Sequence, residues 1–315
     1  MYNISSSPHL RVKLDTRSVM LNVILGLLPV TAAAVFFFRV PAVYIILNCI
    51  ITAILTEWLV LKMRGVNPLS NTSYGSLKDL SAVVTGLLLA LILPPAVKWY
   101  AATLGTVFAI AVVKHIFGGL GCNIFNPALM GRLFLMIAYP KMLTTFYEPF
   151  SVDVVSKATP LALYKFSSQF VSLKSLFLGN ISGSIGETSA LCILIGGIYL
   201  LLRKIADWRI PLTMFGVVLA VTIIMGTINP LSGSLFFHLL SGGLLLGMFF
   251  MATDPATSPV TKLGRYVFGA GCGLIIIIIR YWGGYPEGVM FSILFMNALT
   301  PLINRYTKPK RFGER

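Results

Sequence analysis

The sequence predicts an all-helical protein that crosses a membrane many times. Three observations carry that expectation. Of 315 residues, 57% are apolar or aromatic and only 11% are charged, and the mean hydropathy is +0.86. A soluble chain of this length carries about 25% charged residues. The apolar residues gather into ten runs, most of them close to the roughly 20 residues that a spanning helix needs. The basic residues sort to one side of those runs. These features exclude a disordered chain, a disulfide-rich secreted module and an ordinary soluble enzyme. The net charge of +15 and the pI of 9.9 do not point to nucleic acid. A nucleic-acid partner needs a solvated basic face, and so apolar a chain has little solvated surface to offer; membrane lipid is its expected surrounding.

The runs justify themselves in order. The first, 18–38, follows Arg11, Lys13 and Arg17. Its Thr31-Ala32-Ala33-Ala34 stretch imitates a cleavage site, but the apolar residues continue to Phe38, which reads as an anchor and not a removed signal. Phe38-Arg39-Val40-Pro41 leads into the second run, 40–61, with Glu57 near its end. The third, 80–97, carries Thr85-Gly86 and closes on Pro94-Pro95. The fourth, 100–117, ends with Lys114 and His115, a histidine expected at the interface. The fifth, 123–138, follows Gly118-Gly119 and holds Arg132. After the loop 139–186 come runs at 186–202, 210–228, 235–251, 265–279 and 289–303. Uninterrupted stretches such as 87–93 and 274–279 lack the alternation of barrel strands, so helices satisfy the backbone in lipid.

With the N-terminus inside, Arg39, Lys98, Lys141, Lys157, Lys165, Lys174 and Arg280 fall outside. Arg132 lies within a run, and the remaining seventeen of 25 basic residues fall inside. Four of the outside charges belong to one long loop, where the rule applies weakly. Both termini are therefore expected in the cytoplasm and the 139–186 loop outside it. Losing one run would invert the second half and spoil the sorting, so the count of ten follows from the same pattern.

The chain also repeats itself. Phe38-Arg39-Val40-Pro41 matches Trp208-Arg209-Ile210-Pro211. Thr85-Gly86-Leu87-Leu88-Leu89 matches Ser241-Gly242-Gly243-Leu244-Leu245-Leu246, and Gly118-Gly119 matches Gly283-Gly284. Each match alone is weak, but they keep their order. Five runs are an odd number, so the second copy enters from the opposite side. The expected organisation is a five-plus-five inverted repeat: 1–138 as the first repeat, 139–186 as the outer loop, and 187–315 as the second repeat with a cytoplasmic tail. Such folds bind near the midplane, where Gly or Pro interrupts corresponding helices. The candidate positions are Gly118, Gly119, Asn123, Asn126 and Pro127 in one half and Thr253, Asp254 and Pro255 in the other. The asparagines offer donors and acceptors on one helical face, and they equally suit a cap on a half-helix. Arg132 within a run marks a site or a buried pair, unless it snorkels to an interface. Asp254 is expected at an inside helix end. Cys49, Cys122, Cys192 and Cys272 show no C-x-x-C spacing and read as small buried residues; the alternative is a ligand shared with another subunit, for which Cys122 is the candidate.

In the long loop, Thr159-Pro160 followed by Leu161-Ala162-Leu163 reads as an N-cap with proline in the first helical position. That needs no cofactor. A helix N-terminus is also a ready anion site, where a phosphate on Thr159 would sit favourably and Lys157 would screen it.

The stretch Asp153-Val154-Val155-Ser156-Lys157-Ala158-Thr159 resembles the flavinylation motif of the membrane redox pumps of the Rnf and sodium-pumping NADH:quinone oxidoreductase type. The resemblance extends to Thr85-Gly86 running to Pro94-Pro95, to Asn126-Pro127-Ala128 with Gly131-Arg132, and to Met251-Ala252-Thr253-Asp254-Pro255. It covers nearly the whole chain. The motif often has glycine where this chain has Lys157. The resemblance implies FMN joined through its phosphate to Thr159 by a separate flavin transferase, with Asp153, Ser156, Lys157 and Ala158 as the surrounding motif. A noncovalent riboflavin is a further implied cofactor. Gly118, Gly119, Asn123, Asn126, Arg132, Thr253 and Asp254 are then candidates for a second flavin site or an ion path. No catalytic residue and no metal site are assigned. The implied fold is that of urea and ammonium channels. The implied activity is electron transfer between reduced ferredoxin and NAD, coupled to sodium or proton movement across a bacterial or archaeal cell membrane. The short N-terminal arm points to the D-type member of an Rnf complex, active only with the other membrane and peripheral subunits. The competing reading is a channel or transporter for a small solute on the same fold, with no flavin.

Overall fold

A computed structural model describes residues 15–69, 76–150, 157–228 and 235–308. Every element of regular structure among them is helical. α1 (Thr16–Phe38) and α2 (Val40–Met63) are separated only by Arg39, which takes a positive φ of 52° and reverses the chain, with Pro41 at the start of α2. A 3₁₀ turn at Leu77–Asp79 is held by a capping box in which Ser76 and Asp79 bond each other's backbone. α3 (Ser81–Ile92) stops before Pro94-Pro95, because a residue preceding proline is driven out of the helical region. The third run is therefore helical only over its first part.

α4 (Trp99–Val107) continues without a break into a π-helical stretch, Phe108–Lys114. α5 (Pro127–Ala138) starts four residues later than the fifth run, because Asn126 caps it and Pro127 supplies its first residue. The 139–186 loop contains three short helices, α6 (Pro140–Thr144), α7 (Pro160–Ser167) and α8 (Leu173–Leu178). Then follow α9 (Ala190–Leu202) and α10 (Arg209–Ile228). The eighth run breaks at Ser241-Gly242-Gly243 into α11 (Leu235–Leu240) and α12 (Leu244–Leu246), the latter running into π-helical Gly247–Met251. α13 (Lys262–Trp282) and α14 (Val289–Tyr306) complete the chain.

Among the described residues, four helices are long and apolar enough to cross a membrane: Thr16–Phe38, Val40–Met63, Arg209–Thr227 and Lys262–Trp282. Their outward faces expose large apolar side chains, including Leu28, Phe36, Leu47, Ile51 and Leu55. That is the surface of a multi-pass membrane protein, since water would penalise so much contiguous apolar area.

The shorter apolar helices lie inside this shell. α3 buries every residue except Val83, and Leu244–Met251 is buried throughout. A helix that is apolar all round belongs in a core. Lipid gives no hydrophobic push between helices, so small residues at the contacts let backbones approach and gain packing. Gly26 and Gly196 bring α1 and α9 into backbone contact, Gly86 of α3 meets the Cys49 carbonyl of α2, and Gly131 of α5 meets the Gly105 carbonyl of α4. Gly269 and Gly273 of α13 do the same against Ile210 and Met214 of α10. Cys49 and Cys272 are buried, whereas Cys122 is exposed.

Candidate functional site

Two cavities, each of about 750 Å³, lie on either side of the junction between the interrupted segments.

The first cavity is built around the start of α7. Thr159 has the extended backbone of an N-cap, and its hydroxyl accepts the Ala162 N–H at 3.3 Å. Pro160 fixes the first helical residue, and Leu161 packs beside Leu176, Ile181 and Phe237, so the helix is anchored by its apolar side. Ser182 donates to the Ala158 carbonyl at 2.7 Å and holds the stretch of chain that precedes the cap. Lys165 donates to the carbonyls of Ile279 and Tyr285, clamping the far end of α7 against α13. Desolvation lowers the Lys165 ammonium below the ordinary lysine range. Thr159 is 5% exposed and lines the cavity together with Ile92, Leu129, Met136, Met251 and Phe291. Of the residues expected to surround it, Lys157 pairs instead with Glu148 at 2.7 Å, with both side chains about half exposed. Asp153 and Ser156 lie outside the described residues.

The cation in this cavity is Arg132. Sequence reasoning grouped it with the asparagines, but the structure places it in the Thr159 cavity. From α5 it reaches Glu187 at 3.2 Å and Glu287 at 3.3 Å, carboxylates from the connections before α9 and α14. Arg132 is not snorkelling: its side chain is 12% exposed, against 4% and 20% for its partners. Glu187 and Glu287 had no signal in the sequence beyond being charged residues next to apolar runs. Only the fold brings together residues 55 and 155 positions apart from Arg132.

The second cavity lies between the two interruptions. It is lined by Asn123, Asn126, Thr253 and Asp254, four of the expected residues, with Ser81, Thr85 and Lys114. Asn126 accepts the N–H groups of Ala128 and Leu129 as the cap of α5, and its amide donates to the Met251 carbonyl at 3.5 Å, joining the two interruptions. Thr253 donates to the Phe249 carbonyl, and Asp254 accepts from Thr257 and Ala256, so both turn the chain after the π-helical stretch. Asn123 donates to the Phe125 carbonyl and leaves its side-chain oxygen buried without a partner. Gly118 and Gly119 shape the approach: with φ of 125° and 99° they occupy a region closed to most side chains. They do not line the cavity.

One wall of this cavity was not foreseen. Lys114, 1% exposed, donates to Glu57 and to the Ser81 hydroxyl, both at 2.7 Å. His115 is fully buried beside Glu57 at 3.6 Å and is not interfacial as the sequence suggested. Arg64 donates to the His115 carbonyl. The π-helical stretch widens the turn and carries Lys114 and His115 together onto the carboxylate.

Relatives match this sequence along nearly its whole length. The model of the NQR2, RnfD, RnfE family matches residues 3–313. The D subunit of the proton-translocating ferredoxin:NAD(+) oxidoreductase complex of Clostridium ljungdahlii is 43% identical, covering 100% of this chain and 97% of the relative. The D subunit of the Na(+)-translocating ferredoxin:NAD(+) oxidoreductase complex of Acetobacterium woodii is 46% identical over 98% of this chain and 95% of the relative. The D subunit of the ion-translocating oxidoreductase complex of Escherichia coli K12 is 36% identical over 100% and 99%. On these matches the chain belongs to the NQR2, RnfD, RnfE family.

Proposed function

We propose that this chain is the D-type membrane component of an ion-translocating ferredoxin:NAD oxidoreductase, and that Thr159 carries FMN through a phosphoester. The observation that carries the reading is the position of Thr159. Its buried hydroxyl caps α7 at the edge of a cavity with mainly apolar walls, one guanidinium and two carboxylates. The residues fit the group. The positive end of the α7 dipole suits a phosphate, although Pro160 carries no N–H and the Ala162 N–H is bonded to the Thr159 hydroxyl. Apolar side chains from α5 and α14 suit a flat ring and exclude water, and Arg132 is the cation in the lining, held there by Glu187 and Glu287. Bound there, the flavin would supply acceptance and release of one or two electrons, while the protein sets its position and surroundings.

The architecture in this reading is ten spans in two inverted halves of the kind found in urea and ammonium channels. α1 to α5 form one half, and α9, α10, the α11–α12 pair, α13 and α14 form the other. Support comes from the packing. α1 meets α9 at Gly26 and Gly196, as two first helices related by a two-fold axis should. The broken, buried elements α3 and Leu244–Met251 each come third in the order of their proposed halves. The sorting of basic residues puts both termini in the cytoplasm and Thr159 outside it, with a flavin transferase attaching the cofactor from that side. The Asn126 cavity is then the candidate for noncovalent riboflavin. The sodium- and proton-translocating relatives resemble this chain about equally, so overall similarity does not select the ion.

The test is direct. Membranes from cells with an active flavin transferase are denatured and run on a gel, with Thr159→Ala alongside. The wild-type band should fluoresce as flavin and the variant band should not. A dark wild-type band would favour the plain channel, and an equally bright Thr159→Ala band would move the attachment elsewhere.

A further inference from the structure

A phosphoester on Thr159, the reading on which this proposal rests, would leave the charges around it out of balance. Arg132 holds Glu187 and Glu287. Arg280 of α13 is a neighbour of Glu287 across Gly242, with no ion pair between them: a Cβ on Gly242 would lie 3.4 Å from Glu287 Oε1 and 3.5 Å from Arg280 Nη2. Gly243 keeps the space of Glu187 clear, since a Cβ there would stand 2.5 Å from its Oε1. Arg280 is 2% exposed and donates to the carbonyls of His238 and Ser241. Arg132 is thus one guanidinium ion-paired to two carboxylates, while Arg280 is held by backbone carbonyls beside them. Ser184, Tyr281, Tyr285 and the buried His238 ring are further polar groups nearby.

A phosphodiester adds a single negative charge and stays ionised near neutral pH. An electron placed on the attached ring adds another. Net charge in a desolvated site is costly unless it is compensated. The guanidiniums are already protonated, and the phosphodiester takes no proton. Of the groups that line the Thr159 cavity, the carboxylates Glu187 and Glu287 can accept one, and added negative charge nearby favours a neutral carboxyl.

We propose that the Glu187–Glu287 pair takes up a proton from solvent when an electron is stored on the cofactor at Thr159. The electron comes from a reduced one-electron donor of the ferredoxin class, which is oxidised. The proton forms a new O–H bond on one carboxylate and no bond of the protein breaks. Reoxidation reverses both transfers. Arg132 is the positioning residue, because it keeps both carboxylates together in every charge state.

The experiment uses the full-length flavinylated protein in detergent, reduced stepwise with dithionite, and follows the infrared difference between reduced and oxidised forms. Wild type should gain a carboxylic-acid C=O band on reduction, and that band should shift in deuterated water. Glu187→Gln or Glu287→Gln should abolish it and lower proton uptake per electron, measured with a pH indicator in weak buffer. Glu187→Asp keeps a carboxyl group and should move the band without removing it, which serves as the test if the Gln variants do not fold. Gel fluorescence on every sample reports attachment separately, so an unflavinylated protein defeats the Thr159 reading and is recognised as such. A flavinylated protein with no carboxyl band, or with a band unchanged in all three variants, would overturn the proton-accepting pair.

Discussion

Lys114 provides the sharpest test of how this bundle tolerates charge. Its Nζ lies 2.7 Å from Glu57 Oε1 and 2.7 Å from the Ser81 hydroxyl, with the two ionic side chains no more than 2% exposed. Lys114→Met keeps the aliphatic stem and removes the ammonium. Glu57 is then a buried carboxylate without its ammonium partner, beside the His115 ring at 3.6 Å. Removing one member of a buried pair costs about 3–5 kcal/mol, roughly two to four orders of magnitude in the unfolding constant. Replacing both members is often neutral or stabilising. Glu57→Gln/Lys114→Met should therefore recover most of what Lys114→Met loses. The assay is reversible unfolding of the detergent-solubilised protein in sodium dodecyl sulfate, followed by helical circular dichroism. A Lys114→Met loss within about 1 kcal/mol, the range of exposed pairs, would refute the view that the pair is sealed from water. So would a double variant no better than the single one.

Two further outcomes are expected. Burial alone would raise the Asp207 carboxyl, but the Arg209 N–H and the Arg265 and Arg209 guanidiniums overcome it and hold it below the usual aspartate range. A depressed carboxylate contributes stability above its unfolded pKa of about 3.9 and loses that contribution as pH falls through its folded value. Asp207→Asn should therefore be less stable than wild type at neutral pH, and unfolding curves should converge below about pH 4; an equal gap at about pH 7 and about pH 3 would contradict the ion-pair assignment. Gly196→Val should push α1 off α9, because a Cβ there meets the Gly26 carbonyl, at a cost of about 1–3 kcal/mol for overpacking. Gly216→Ala on α10 meets nothing within 4 Å and should be neutral or stabilising; thermal melts that rank the two variants the other way would contradict the packing.

Much of the fold was legible because lipid simplifies the code. Apolar runs, proline stops and glycine interruptions are local signals, and they located helices, the Asn126 cap and the Thr159 cap from short stretches of chain. Their exact limits were less legible. Pro94-Pro95 ended α3 earlier than apolar content suggested, and Gly242-Gly243 broke a run that hydropathy reads as continuous. The charged networks were the least legible. Nothing local distinguishes Glu187 from an interfacial glutamate until α5 brings Arg132 to it. His115 looked interfacial because it follows a lysine, and only a π-helical turn shows both residues facing one buried carboxylate.

The placement of these networks bears on what passes through the bundle. A solute path needs a continuous polar lining, because each unpaired polar contact in an apolar medium costs roughly 2–7 kcal/mol. Here the polar groups gather at two cavities, and the core packed between and around them includes Leu88, Leu89, Leu129, Phe250 and Met251. The polar link at the junction, Asn126 to the Met251 carbonyl, is a contact between protein groups. An electron needs proximity between two sites and no opening. A sealed junction with a site on each side is thus an obstacle to a solute and no obstacle to an electron. That asymmetry is consistent with the proposed redox reading, in which the Lys114 and Arg132 networks would hold charge on either side of the junction.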